Sequence, residues 1–235
     1  MGDGVMKYQI MGDSFPMLEL KLFHGESIYT QSNGMAWMEN GIMMDTNLKG
    51  GLFRTIGRLF TDETLFMTTY TCAVDNAAIT FGTTNIGSII PLAIDHDYSV
   101  ICQKNSFLVA EASVESKITF TKKISAGLFG GEGFILQKLT GRGMAFLETV
   151  GGVVEKELGI GEELTVDNGH LVAFEDTCQY EVKMVKGIKN ILYAGEGLTL
   201  IKMTGPGKVF LQSMTLDEFV DSIIPYIPKP EATKK

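Results

Sequence analysis

The 235-residue chain is poor in the residues that most often carry chemistry, with three cysteines and three histidines. An odd number of cysteines scattered through β-rich sequence excludes a disulfide framework. Cys72, Cys102 and Cys178 are therefore predicted to be buried, reduced thiols in a cytoplasmic protein. No GxSxG, HExxH or CxxC motif is present. The sequence thus predicts a non-enzyme, with no catalytic residue and no cofactor.

The chain also lacks a long hydrophobic run and an excess of basic charge. No stretch of 18 or more apolar residues occurs, so no bilayer-spanning helix is predicted. Residues 1–10 do not have the basic-then-apolar layout of a secretory signal. The net charge of −8 argues against a phosphate-backbone binder. Nucleic acid is therefore not an expected partner.

What the chain does contain is internal repetition. Residues 131–147 and 195–211 share the pattern GEGxxLxKxTGxGxxFL, and a second block occurs three times, ending at Glu39, Glu111 and Glu175. Such duplication predicts similar structural units. The predicted organisation is an N-terminal strand or extension (1–17), three β-units (18–88, 89–152 and 153–213), a C-terminal helix (214–227) and a disordered tail (228–235).

Each unit has the pattern of an all-β structure. Segments such as 19–22, 117–121 and 180–185 alternate apolar and polar residues, and turn residues interrupt the chain at short intervals. One helix is predicted after the last unit, because Thr215 and Glu218 form a capping box and an apolar stripe follows. The prediction is three tandem β-sandwich or jelly-roll-like units, with a helix that docks behind them.

Many of the 27 glycines are assigned to turns. The stretch 127–133 resembles a nucleotide-binding loop, but it lacks the Lys-Ser/Thr of a P-loop and runs into strand-like sequence. In each of the pairs Gly141/Gly143 and Gly205/Gly207, at least one glycine is expected at positive φ. The predicted turn glycines are Gly131, Gly133, Gly141, Gly143, Gly195, Gly197, Gly205 and Gly207.

Two sets of equivalent polar residues are candidate sites. His24 and His96 occupy matching positions in units one and two, where two imidazoles near a symmetry axis would suit a metal, but unit three has Ile160 there. Glu39, Glu111 and Glu175 match in all three units. They would form a ring of carboxylates that holds a cation, or each would accept backbone N–H groups at a turn.

The segment 52–60 has apolar residues at helical spacing and two arginines on another face. It would lie on an anionic membrane surface or a partner protein, or it would dock on its own chain. Docking on its own chain is the favoured alternative, because the segment is short and contains Gly57.

Several of these motifs together resemble the bacterial relatives of the "altered inheritance of mitochondria" family of unknown function. The motifs are Gly51–Phe60 leading to Asp62-Glu63-Thr64, the Gly141-Arg142-Gly143 and Gly205-Pro206-Gly207 turns, and the ending Leu211–Met214 with Pro225–Pro228. The resemblance implies a β-fold like the subunit of the tryptophan RNA-binding attenuation protein (TRAP-like), tandemly repeated with pseudo-threefold symmetry. It also implies an oligomer, and mitochondrial relatives linked to inner-membrane organisation.

The sequence favours a non-enzymatic, oligomeric binding or scaffold protein over two alternatives. The alternatives are RNA binding, by fold analogy alone, and an enzyme that uses carboxylates in clefts between units. Short β-units expose strand edges that need cover, so the chain is expected to pair with itself, as a trimer first and a dimer second. The interface is expected to consist of strands rather than of the C-terminal helix.

Overall fold

The computed structural model describes residues 6–31, 34–46, 67–122, 134–184 and 199–228. These residues are mostly β-strand, which confirms the predicted class. The strands are β1 Lys7–Met11, β2 Met17–Phe23, β3 Ser27–Thr30, β4 Met35–Met38, β5 Ile42–Asp45, β6 Thr68–Cys72, β7 Asn76–Gly82, β8 Ile89–Ile94, β9 Val100–Gln103, β10 Phe107–Glu111, β11 Val114–Lys122, β12 Phe134–Gly141, β13 Gly143–Glu148, β14 Val153–Leu158, β15 Glu163–Asp167, β16 Leu171–Glu175, β17 Gln179–Met184, β18 Thr199–Thr204 and β19 Gly207–Gln212.

The strands form four antiparallel sheets. Sheet 1 has the order β1-β2-β7-β4 and sheet 2 the order β5-β6-β3-β10-β13-β8. Sheet 3 has the order β11-β12-β9-β16-β19-β14, and sheet 4 has three strands in the order β15-β18-β17. Two long sheets are therefore flanked by two shorter ones.

The same strand pairings recur in the three predicted units. Each unit has six strands, and its first, sixth and third strands pair side by side: β2-β7-β4, β8-β13-β10 and β14-β19-β16. Its fourth, fifth and second strands form a second group: β5-β6-β3, β11-β12-β9 and β17-β18-β15. Each unit thus divides its strands between two sheets. The predicted unit boundaries, the pseudo-threefold symmetry and the TRAP-like relation remain predictions.

Units are joined to each other by strand pairing at two junctions. In sheet 2, β3 of unit one pairs with β10 of unit two, and in sheet 3, β9 of unit two pairs with β16 of unit three. Both junctions join the second strand of one unit to the third strand of the next. The six-stranded sheets are therefore each made from halves of two consecutive units.

The hydrophobic core lies between successive sheets. In β2, Leu18, Leu20 and Leu22 are completely buried while Glu19 and Lys21 point away from the core, as the alternating pattern predicts. Burying each leucine contributes roughly 2 kcal/mol. Side chains from sheets 1 and 2 share one cluster, those from sheets 2 and 3 a second, and those from sheets 3 and 4 a third.

The C-terminal helix α1, Leu216–Ile223, forms as predicted, and most of its apolar stripe is exposed. The Glu218 N–H donates to Thr215 Oγ1 at 3.0 Å and the Thr215 N–H donates to Glu218 Oε2 at 2.8 Å, which completes the capping box. A 3₁₀ turn, Ile224–Tyr226, follows. No residue of α1 is buried. The described residues cover only one edge of the apolar stripe, where Phe219 is partly buried, so docking behind the last unit stays a prediction.

Candidate functional site

The three equivalent glutamates perform one structural task in three separate sheets. Glu39 accepts the Ala78 N–H at 2.7 Å, Glu111 accepts the Met144 N–H at 2.7 Å, and Glu175 accepts the Lys208 N–H at 3.0 Å. In each unit the carboxylate after the third strand binds the start of the sixth. These contacts match the interpretation of the carboxylates as backbone acceptors.

The surroundings of the glutamates also explain two of the turn glycines. Gly207 has φ +139°, and a Cβ on it would lie 2.8 Å from Cys178 Sγ and 3.3 Å from Glu175 Oε2. A Cβ on Gly143 would overlap Glu111 Oε2. Each glycine directly precedes the residue whose N–H the glutamate accepts. Glycine is needed at both positions because other side chains occupy the space: the Glu111 carboxylate at Gly143, and the side chains of the turn after β16 at Gly207.

The backbone angles confirm the expectation for both glycine pairs. Gly141 has φ +102° and Gly207 has φ +139°, so each pair has at least one glycine at positive φ. The bond from Gly205 to Pro206 is cis. Gly131, Gly133, Gly195 and Gly197 lie outside the described residues, as does the segment 52–60.

The two candidate metal-binding histidines are exposed in turns. His24 follows β2 and His96 follows β8, while Ile160 at the matching place in unit three is 92% exposed. Among the described residues, no group of three or more His, Cys, Asp or Glu side chains is placed to hold a metal. The structure therefore gives the histidine pair no further ligand from the described part of the chain.

The three cysteines are buried free thiols. Burial raises the pKa of the Cys102 thiol to about 12, because a thiolate would lose its hydration inside the core. Gln137 Nε2 contacts this sulfur at 3.7 Å. Such a thiol stays protonated at neutral pH and is a poor nucleophile.

The third strands of the three units differ in burial, depending on whether a preceding unit pairs with them. β10 and β16, the third strands of units two and three, are buried along their whole length except for the final glutamate. β4, the third strand of unit one, is partly or fully exposed at every residue, with Trp37 at 50% and Met38 at 38%. β4 is the last strand of sheet 1, so no strand among the described residues pairs with its other edge.

The matching difference is found at the other end of the chain. β9, the second strand of unit two, is entirely buried, whereas β15 in unit three is buried only at Val166. β15 is the last strand of sheet 4. An edge strand presents unpaired N–H and C=O groups to any strand that approaches it. β4 is a third strand and β15 is a second strand, and these are the two kinds of strand that pair with each other at both internal junctions.

A buried glutamine reinforces one junction, and the sequence analysis did not single it out. Gln103 Nε2 donates to Asn168 O at 2.5 Å and to Leu171 O at 2.6 Å, so it ties the end of β9 to the turn before β16. Gln31 and Asp167 are its equivalents in the repeat. Asp167 instead accepts the Gly169 N–H of its own turn. The aligned repeats already show this difference, because aspartate replaces glutamine only in unit three.

Comparisons with known proteins agree with the described fold. A family model described as "Mitochondrial biogenesis AIM24" matches residues 8–214. An uncharacterized protein of Streptococcus pyogenes serotype M6 is 26% identical over 97% of this chain and 94% of its own length. A crystal structure of a Streptococcus pyogenes protein superposes with a TM-score of 0.77 at 23% identity, covering 94% of this chain and all of that one. No helix in the described parts of the chain is long and apolar enough to cross a membrane.

Proposed function

The chain belongs to the AIM24 mitochondrial biogenesis family, and we propose that it is a non-enzymatic scaffold that assembles with copies of itself. In this proposal, β4 of one copy pairs with β15 of the next. The observation that carries the proposal is that β2, β7 and β4 of sheet 1 and the three strands of sheet 4 correspond to the two halves of a six-stranded sheet, with β1 as an additional strand beside β2. When β15 pairs with β4, the strand order becomes β17-β18-β15-β4-β7-β2. Sheets 2 and 3 have the same order, namely the fourth, fifth and second strands of one unit followed by the third, sixth and first strands of another.

The internal junctions also define the register of this pairing. Glu111 is opposite Ile28 at the first junction, and Glu175 is opposite Val100 at the second. The repeat makes Glu39 equivalent to both glutamates, and Leu164 equivalent to Ile28 and Val100. Glu39 therefore pairs with Leu164 of the second copy, which places Met38 opposite Thr165 and Trp37 opposite Val166.

The backbone of β4 has hydrogen-bonding groups free for this purpose. The Glu39 N–H donates to Ala78 O on the β7 side. Since successive residues of a strand direct their N–H and C=O groups to opposite sides, those of Met38 point to the free edge. Pairing would satisfy these groups and cover Trp37 and Met38.

Head-to-tail pairing of this kind has a symmetry consequence. Because β4 and β15 are different surfaces, the contact is heterologous, and it gives a closed ring when the rotation between copies closes. We take three copies as the assembly, so that a threefold axis relates the copies and nine units follow one another around a TRAP-like ring. The buried free thiols suit a reducing compartment, so we place this assembly in the cytoplasm.

The enzyme alternative has less support from the carboxylates. Glu39, Glu111 and Glu175 each accept a backbone N–H group, which gives them a structural task. The RNA-binding alternative rests on analogy of fold, and the net charge of −8 opposes it. Assembly is therefore the function that the described contacts favour.

Multi-angle light scattering tests the assembly with a matched pair of variants. The native chain should have a mass of about 77 kDa, three times the 25.7 kDa chain. The variant Trp37→Lys/Met38→Lys should shift the mass towards the monomer, because charge on an edge strand opposes pairing. The control Met43→Lys/Met44→Lys changes two exposed residues of β5, another edge strand, and should keep the native mass.

Two results would contradict the proposal. The first is a native mass near 26 kDa that does not change on tenfold concentration. The second is an oligomer that both variants weaken equally, since this would mean that the β4 edge has no special role.

A further inference from the structure

Most of the apolar face of α1 is uncovered in the described chain, and Phe219 at one edge of it is partly buried. Leu216, Val220, Ile223 and Ile224 are 42–54% exposed and lie on one stripe, with spacings of four, three and one residues. A stripe of this kind normally faces a core. Resting on the assembly proposed above, we propose that it packs on the β1–β2 turn of the second copy, whose exposed apolar residues are Ile10 and Phe15.

The start of α1 contacts the turn that follows β15. A Cβ on Gly169 would lie 2.8 Å from Thr215 Cγ2, and Glu218 Oε2 lies 3.7 Å from His170 Nε2. Gly169 and His170 belong to the turn that connects β15 to β16. The helix therefore begins beside the strand edge to which the second copy is proposed to add.

The chain makes the same backbone hydrogen bond at the end of each unit, and this indicates the direction in which the helix extends. The residue after each sixth strand donates its N–H to the residue before the first strand of the same unit: Thr83 to Pro16, Thr149 to Ser88 and Ser213 to Gly152. After the first two exits, a short linker leads to the first strand of the next unit. After the third exit, α1 occupies the position of that linker. The equivalent destination is β2 of the second copy.

The surface at that destination is apolar and close to the proposed β4 edge. β4 pairs with β7 and β7 pairs with β2, so the start of β2 lies two strands from the edge, about 10 Å. Phe15, at 63% exposure, lies in the turn that enters β2, and Ile10 of β1 is 37% exposed. An eight-residue helix is about 12 Å long and 10 Å wide. Together with the 3₁₀ turn that follows it, the helix spans the three strand spacings, about 14 Å, from β15 to this turn.

This inference revises the expectation that strands alone form the interface. The sequence predicts an apolar stripe on the helix and docking of the helix after the last unit. In the described chain most of that stripe is exposed, and the exit geometry directs it beyond the last unit. Strand pairing and helix docking would then belong to one interface.

Disulfide trapping between full-length chains tests the proposed contact. Chains carrying Val220→Cys and chains carrying Phe15→Cys are mixed, allowed to exchange subunits and oxidised with copper phenanthroline. We expect a covalent dimer on non-reducing gels in the mixture only, because the native thiols are buried. The control Asp221→Cys, on the polar side of the same helix, should give at least about tenfold less product with Phe15→Cys.

The outcomes separate this proposal from the assembly itself. An oligomeric native chain that gives no Val220–Phe15 product, or equal product from Asp221→Cys, would overturn the helix contact and leave strand pairing intact. A chain carrying both cysteines that forms only an internal disulfide would show that α1 docks on the β1–β2 turn of its own chain, and would refute the contact with a second copy. A monomeric native chain would refute both proposals.

A lipid surface is the other surface on which the apolar stripe of α1 would pack, and a second experiment distinguishes it from a second copy. The variant Val220→Ser/Ile223→Ser should raise the protein concentration at which the oligomer half-dissociates by at least about tenfold. Sedimentation with phosphatidylcholine vesicles provides the contrary result. Vesicle binding by the native chain that this variant abolishes, with oligomer mass and half-dissociation unchanged, would assign the stripe to lipid and refute the contact with a second copy.

Discussion

The three equivalent glutamates allow one interaction to be measured at two levels of burial in the same molecule. Glu111 and Glu175 are partly buried and Glu39 is exposed, yet each accepts one backbone N–H at 2.7–3.0 Å. Replacement by alanine leaves that N–H without its acceptor. The cost should follow the access of water to the orphaned donor rather than the length of the hydrogen bond.

The expected magnitudes differ clearly between the sites. Glu111→Ala should reduce the free energy of unfolding by about 2 kcal/mol, the cost of an unsatisfied buried donor. Glu39→Ala should cost about 0.5 kcal/mol, because water can replace the carboxylate at an exposed turn. For a chain of this size these losses correspond to melting temperatures lower by about 4–8 °C and 1–2 °C.

A conservative variant separates the hydrogen bond from the charge. Glu111→Gln keeps an oxygen that can accept the Met144 N–H, so it should recover most of the stability lost in Glu111→Ala. Burial raises the pKa of Glu111 above its usual range, with the Met144 N–H opposing the shift. The folded chain therefore retains this proton to higher pH than the unfolded chain does, and ionisation reduces stability as pH rises between the two values. Glu111→Gln removes that dependence.

Urea unfolding at one fixed protein concentration measures all of these variants. Equal losses for Glu39→Ala and Glu111→Ala would refute the argument from water access. A Glu111→Gln variant as unstable as Glu111→Ala would also refute the assignment of Glu111 as an acceptor of the Met144 N–H.

Three further outcomes are expected. Gly207→Ala should cost more than Gly25→Ala in urea unfolding, because both have positive φ but only at Gly207 would a Cβ meet side chains. Burial raises the pKa of Glu148 although the Thr84 N–H and hydroxyl oppose the shift, so Glu148→Gln should gain stability relative to the native chain as pH rises from about 4.5 to 7, and a constant difference would contradict this. Cys102 should resist N-ethylmaleimide at pH 8 until the chain is unfolded, as followed by mass spectrometry, and rapid labelling of the folded chain would contradict its burial.

Local structure was predictable where neighbouring residues determine it. The alternation in β2 and the capping box at Thr215 depend on residues a few positions apart, and both are present as expected. The positive φ at Gly141 and Gly207 followed from repeated glycine pairs. Each of these features is specified within one strand, turn or helix end.

Features that depend on a neighbouring unit were not predictable in the same way. Met35–Met38 is as apolar as Leu171–Phe174, but only the second is buried, because only β16 has a preceding unit beside it. The apolar stripe of α1 predicts burial without saying against which surface. The sequence pattern indicates which residues are to be buried. Chain connectivity and assembly determine which surface buries them.

The outer strands of the sheets show how this protein treats edges that stay exposed. β14 carries Glu155, Lys156 and Glu157 in succession, and β8 contains Pro91, which cannot donate to an added strand. β4 has the sequence Met-Ala-Trp-Met, with neither charge nor proline. Charged residues and proline are the usual means by which an edge strand avoids unintended pairing. Their absence from β4, beside their presence on β8 and β14, is what an edge requires if another strand is meant to bind it.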